Sequence, residues 1–247
     1  MQHYFLHEHL KLNSNIVLPH EVAHHWISVV RAQLNDQAEF VDNKHQVYLG
    51  KLVQKDPESI VKIVKYLDVN TEMPVKVSIA CGLPKKNKAD LITQKAVEMG
   101  VFEIIFFKSQ WSIAKWRGNR VNKKLKRLNK IAKSAAEQSH RNIIPKVEYI
   151  DSLTDLLKLN FDKRMVAYEE SAKQGERTTL KMIMNQMKGD NTALTIFGPE
   201  GGISPSEIKQ MISNGVAPIG LGPRILRTET APLYLLAAFS TFFELKE

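Results

Sequence analysis

Leu194-Thr195-Ile196-Phe197-Gly198-Pro199-Glu200-Gly201-Gly202 is an apolar run that ends in a glycine-rich turn. The pattern returns at Ile219-Gly220-Leu221-Gly222-Pro223-Arg224-Ile225-Leu226-Arg227-Thr228-Glu229-Thr230-Ala231. Each piece reads as a short strand, a turn and the start of a helix. Glycine in such turns supplies positive φ and lets a ligand approach the backbone. The first turn closes on Ser204-Pro205-Ser206-Glu207, the residue order of a capping box with Pro at the first helical position. Open α/β sheets bind ligands between strand ends and helix starts of this kind. The G-x-G-x-x-G dinucleotide fingerprint and the G-x-x-x-x-G-K-[ST] phosphate loop are both absent. The residues alone leave the ligand's type open, and two tight turns with no ligand remain the plainer alternative.

Working outward, residues 1–72 predict short strands at Ala38–Val41, Gln46–Val53 and Ile60–Tyr66, with one helix over Glu21–Gln33. Leu34-Asn35-Asp36 reads as a tight turn in which Asn tolerates the left-handed region. These elements predict a small barrel. From residue 73 strands and helices alternate. Strands are expected at Val75–Leu83, Ile104–Lys108, Lys146–Ile150 and Met165–Tyr168. Helices are expected at Ala89–Met99, 119–139, Leu153–Leu159, Thr179–Met187 and Ala231–Leu245. The alternation predicts an α/β domain with a mostly parallel sheet. Lys173-Gln174-Gly175-Glu176 reads as an exposed loop.

The chain of 247 residues carries a net charge of +9 and a single cysteine, Cys81. No intramolecular disulfide can form, and a cysteine-based metal site is not expected. His24-His25 and the His7/His9 pair lack further ligands at useful spacing, so no metal is expected. The first twenty residues hold no apolar signal core, and no apolar run is long enough to span a membrane, which points to the cytoplasm. Charge is concentrated. Residues 1–72 carry a net −2, residues 73–150 a net +12, and residues 151–247 a net −1. Nine basic residues fall between Lys115 and Lys133, and no acid occurs between Glu103 and Glu137. A block so free of acids predicts a phosphate track, with Trp111 and Trp116 at its edge as stacking platforms.

The two glycine-rich motifs resemble the signature of the RsmE family, within the SPOUT (α/β-knot) methyltransferases. The resemblance extends to Gln94–Val101, Ala136–Arg141, His3-Tyr4-Phe5, His24-His25 and Val29-Val30-Arg31. Two departures stand out: Asn35 occupies a position where the family usually has Gly, and Gln2 a position near which it often has Arg. The resemblance implies a PUA-like β-barrel at 1–72 and a knotted methyltransferase domain at 73–247, paired in a homodimer. It implies methyl transfer from S-adenosylmethionine to N3 of one uridine in 16S ribosomal RNA of the small subunit.

That chemistry requires aligned reactants and help in removing the N3 proton. Cofactor contacts are expected from Ile196, Phe197, Gly198, Pro199, Glu200, Gly201, Gly202, Leu221, Gly222, Ile225, Leu226, Arg227, Thr230 and Ala231. Arg227 is expected to stabilise charge on the uracil or to hold a phosphate. Glu200 and Glu229 are expected to take a proton or to favour the sulfonium, and an ion pair bracing the loops is the plainer alternative. RNA contacts are expected from Arg31, Lys115, Arg120, Lys123, Lys124, Arg127 and Arg141. His140 reads as a surface residue. Two rival functions remain. One is a SPOUT enzyme acting on another rRNA or tRNA atom. The other is a non-catalytic ribosome-assembly factor, which the intact glycine loops disfavour.

Overall fold

The computed structural model describes residues 1–170 and 178–245. The loop expected at Lys173–Glu176 lies outside them. The chain divides into two compact units: residues 1–72 with 136–143, and residues 73–135 with 144–247.

The first unit holds β1 (Gln2–Phe5), β2 (Asn15–Val17), a short α1 (His20–Ala23) continuing as a π-helical turn through His24–Val29, β3 (Gln37–Val41), β4 (Val47–Gln54) and β5 (Ile60–Leu67). The helix expected over Glu21–Gln33 is thus shorter and changes winding midway. The strands form one sheet in the order β1-β3-β4-β5-β2. The β1–β3 pair is parallel and the others antiparallel. Among the described residues β1 and β2 are its two edges and do not pair, so the expected barrel is an open five-stranded sheet. Trp26, Phe40 and Leu52 form its core with Tyr4, whose ring centroid lies 5.9 Å from that of Phe40. Asn35 does take positive φ, at 76°. At Gly50 a Cβ would come within 2.5 Å of Val61 and 2.7 Å of the Phe40 ring, so the bulged centre of β4 admits only glycine.

Residues 136–143 are held to this sheet by polar contacts. Arg141, expected on the RNA, is buried; its guanidinium closes on Glu72, whose Oε1 also accepts the Asn142 N–H at 2.9 Å. A buried, paired guanidinium is unavailable to a phosphate. His140 is no free surface residue either, since its Nδ1 lies 2.7 Å from Glu39 Oε2, which the buried His3 approaches to 2.9 Å. Burial opposes ionisation of Glu39, but the two imidazoles outweigh it and hold its pKa below the usual value.

The second unit is the α/β fold that the alternation predicts. It comprises β6 (Lys76–Gly82), α2 (Lys88–Glu98), β7 (Glu103–Phe107), α3 (Asn119–Gln138), β8 (Lys146–Ile150) and α4 (Leu153–Leu156). It continues with β9 (Lys163–Ala167), α5 (Thr179–Gln186), β10 (Thr192–Phe197), α6 (Pro205–Ser213), β11 (Ala217–Ile219) and α7 (Thr230–Glu244). The six strands run parallel in the order β11-β9-β10-β6-β7-β8. The central strands are buried on both faces and mostly apolar, interrupted by the buried hydroxyls of Ser78 in β6 and Thr195 in β10. Gly100, at φ +82°, ends α2 in the usual left-handed stop. Ser204 and Glu207 form both hydrogen bonds of the capping box, with Pro205 opening α6. Helix α4 stops at Leu156, short of the expected Leu159. Among the described residues no helix is long and apolar enough to cross a membrane.

Edge strand β8 is closed by a side chain. Asn129 of α3 donates from Nδ2 to the Val147 carbonyl at 3.0 Å and accepts the Val147 N–H on Oδ1 at 3.1 Å. Asn129→Leu is expected to strand both groups and cost about 1–3 kcal/mol of unfolding free energy. Asn129→Asp, which keeps only the acceptor, is expected to fall between the two. Urea denaturation of the three proteins checks the order.

Candidate functional site

Parallel strands all end on one edge of the sheet, and the glycine-rich turns follow two of them there. Between β10 and β6 the strand order reverses relative to the chain, which is where doubly wound sheets open a crevice. The turn after β10 lies tight against the end of β6. A Cβ at Gly82 would sit 2.6 Å from Pro199 Cδ and 2.8 Å from its nitrogen, so only glycine admits this approach. Within the turn the Gly202 N–H donates to the Pro199 carbonyl at 2.8 Å, and Gly202 takes φ +78°.

A cleft of about 690 Å³ opens over these loops. Phe197, Gly198, Pro199, Glu200, Gly201 and Gly202 line one side, and Ile225, Leu226, Arg227 and Ala231 line the other. Leu221 and Gly222 line an adjoining hollow of about 120 Å³ that shares Ile225 and Leu226. The structure thus brings together most of the residues singled out from the sequence. Ile196 and Thr230 stand apart. Ile196 is wholly buried, with ladder partners on both sides at Ala80 and Val166. Thr230 opens α7 with its N–H on the Arg227 carbonyl. Ile225 is 72% exposed, an apolar side chain presented at the mouth of both spaces.

The two loops are joined by a residue that the sequence did not single out. Lys88, at the start of α2, places its ammonium 3.1 Å from Glu200 Oε1 and 2.9 Å from Glu229 Oε2. One cation therefore braces both loops. Burial disfavours the charged form of each glutamate, yet Lys88 with nearby backbone N–H groups prevails, and both pKa values lie below normal. Glu229 raises the Lys88 pKa most, with Glu200 adding to it against partial burial. At neutral pH the glutamates are fixed anions and poor proton acceptors. Arg227 is exposed on the same cleft. Only Lys85-Lys86 and Lys88 after Pro84 hinted at Lys88, and one lysine among three carries no distinguishing signal.

Trp111, expected to be a stacking platform at the edge of the basic block, is 44% exposed. It lines this cleft, and a Cβ on Gly201 would lie 3.2 Å from its Cβ. Trp116 is buried against Phe106 and Tyr149, with Lys124 Nζ 5.2 Å from its centroid, so it offers no free face for a base. Lys115, Arg120, Lys123 and Lys124 are exposed at the start and along the solvent face of α3, while Arg127 pairs with Asp90. Arg31 is exposed in the first unit, at φ +63°.

Known proteins share this architecture. Residues 71–240 match the family model for the RNA methyltransferase domain. The chain is 39% identical to ribosomal RNA small subunit methyltransferase E of Bacillus subtilis (strain 168), over 99% of this chain and 98% of that protein. It is 32% identical to the protein of the same name from Buchnera aphidicola subsp. Acyrthosiphon pisum, over 97% and 92%. The crystal structure of the Neisseria gonorrhoeae protein of that name, bound to S-adenosyl methionine, superposes with a TM-score of 0.85 at 27% identity, covering 98% of each chain.

The Lys88 bridge makes a pH prediction. A carboxylate whose folded pKa lies below its unfolded value stabilises the fold above that value and loses the contribution as pH falls through the folded pKa. Both glutamates therefore support the wild-type loops down into the range below pH 4.5. Lys88→Met removes the shared cation, so their folded pKa values rise and acid destabilisation sets in at higher pH. Thermal unfolding against pH measures the displacement.

Proposed function

The chain belongs to the ribosomal RNA small subunit methyltransferase E family, and from that premise we propose that it transfers a methyl group from S-adenosylmethionine to N3 of one uridine in 16S rRNA. The observation that carries the reading is the cleft of about 690 Å³ built from two glycine turns and braced by Lys88. Its walls fit the cofactor. Backbone groups of Gly198–Gly202 and Leu221–Gly222 supply the polar edges that an adenine or a methionyl group requires, and Ile225 and Leu226 supply apolar cover. When bound, S-adenosylmethionine supplies an activated methyl group on a sulfonium cation. Glu200 and Glu229 stay ionised beside Lys88 and serve as fixed negative charge rather than as proton acceptors, and with Glu169 and Glu170 on the wall the cleft's acids outnumber Lys88 and Arg227, which favours a bound cation. Arg227, exposed on the same cleft, would offset negative charge developing on the uracil oxygens, so that N3 can release its proton to solvent water as it takes the methyl group.

RNA contact falls to the exposed cations Lys115, Arg120, Lys123 and Lys124 of the second unit and to Arg31 of the first. We read residues 1–72 as a PUA-like RNA-binding module and 73–247 as the methyltransferase domain. A knotted C-terminal segment fits a chain order in which β10 enters between β6 and the earlier β9. A homodimer working in the cytoplasm, where the small subunit is assembled, completes the reading.

The test is single-turnover methylation of assembled small subunits, followed by mapping of the modified nucleoside. Arg227→Ala is expected to lower the rate roughly 10²–10³-fold with little change in RNA or cofactor affinity. Arg227→Lys should restore only part, because an ammonium lacks the planar fork. A methyl group on another atom overturns the N3 assignment. An absence of transfer to any subunit or assembly intermediate returns the chain to a binding role.

A further inference from the structure

A second cleft, of about 620 Å³, opens on the same edge of the parallel sheet at the ends of β6, β7 and β8. We propose that it seats the phosphodiester backbone of the RNA segment flanking the modified nucleotide, an inference that rests on the RNA methyltransferase reading above. The loop that follows β7 separates it from the first cleft, turning Trp111 to one side and Lys108, Lys115 and Arg117 to the other. Two strand spacings, about 10 Å, divide β10 from β7, which places the two clefts within reach of neighbouring nucleotides.

The charges of this cleft suit an anion. Lys108, Lys115 and Arg117 are exposed, and among the described residues none of the three is ion-paired. Of the two acids that line it, Glu207 is occupied by the Gln110 N–H at 2.8 Å, the Ser204 N–H at 3.1 Å and the Ser109 hydroxyl at 3.3 Å. Asp151 accepts the Tyr149 hydroxyl at 2.8 Å. Helix α3 also begins at this cleft, through Gly118 and Val121, and its first turn has no acidic side chain to offset its positive end.

The ligand group is a phosphate rather than a base. Of the two aromatics that line it, Trp116 has its surroundings filled by Phe106, Tyr149 and the Lys124 ammonium, at 5.4, 5.6 and 5.2 Å, and Tyr149 packs on Trp116 with its hydroxyl on Asp151. Contacts of this kind fix register along the chain and carry no sequence information. The cleft therefore adds affinity and positions the RNA without choosing the uridine.

The experiment compares wild type with Lys108→Ala/Arg117→Ala and with Arg117→Glu, each first shown to melt as wild type does. Binding of a mixed-sequence single-stranded RNA and of small subunits is measured across a salt series. On single-stranded RNA the double variant should lose about 1.4 units of the log–log salt slope, roughly 0.7 for each lost phosphate contact, on every sequence alike. In steady-state methylation its KM for small subunits should rise, with kcat within a few-fold and calorimetric S-adenosylmethionine affinity unchanged. Arg117→Glu should weaken RNA binding further. An unaltered slope in folded variants overturns the proposal, as does a fall in kcat at constant KM. If wild type methylates nothing, the activity reading fails by itself, and the salt slope still decides the cleft.

Discussion

Both clefts depend on one buried carboxylate. Glu207 closes the capping box of α6 by accepting the Ser204 N–H, and it holds the loop after β7 through the Gln110 N–H and the Ser109 hydroxyl. A carboxylate only 7% exposed is tolerated because donors from two distant stretches of chain satisfy it. The glycine turn and the Trp111 loop are thereby fixed against each other. A lone capping box needs only local residues; this one also sets the wall between two ligand spaces. Lys88 plays the matching role on the far side, drawing Glu200 and Glu229 of the two glycine turns to a single ammonium.

The second unit was largely legible in the sequence, for a physical reason. A strand buried on both faces is mostly apolar, and β6, β7 and β10 are, with the buried hydroxyls of Ser78 and Thr195 as exceptions. The first unit was less so. β1 and β2 are four and three residues long and carry Gln2, His3 and Asn15, so neither shows a hydrophobic period. Their separation at opposite edges is a matter of pairing, which local pattern does not encode. The change of winding at His24 likewise has no compositional mark.

At the site, glycines announce themselves because few other residues fit the turns, and that is why Gly198 to Gly202 and Leu221 to Leu226 were found. Charged residues do not. Whether Arg141 meets solvent or Glu72, and whether Lys88 dangles or bridges, depends on partners far along the chain. The same holds for the tryptophans: two residues in one short loop, one exposed at 44% and one buried, with no sequence feature to tell them apart.

The Asn129 amide on Val147 bears on how the protein behaves in a crowded solution. An outer parallel strand offers a row of free N–H and C=O groups on which a foreign strand can grow. Asn129 imitates such a strand at one step, with one donor and one acceptor, and occupies the rung at which an intruder would have to pair. A chain with a buried parallel sheet folds slowly enough to expose edges on the way. Filling that rung from its own helix guards the sheet against growth into fibrous aggregates.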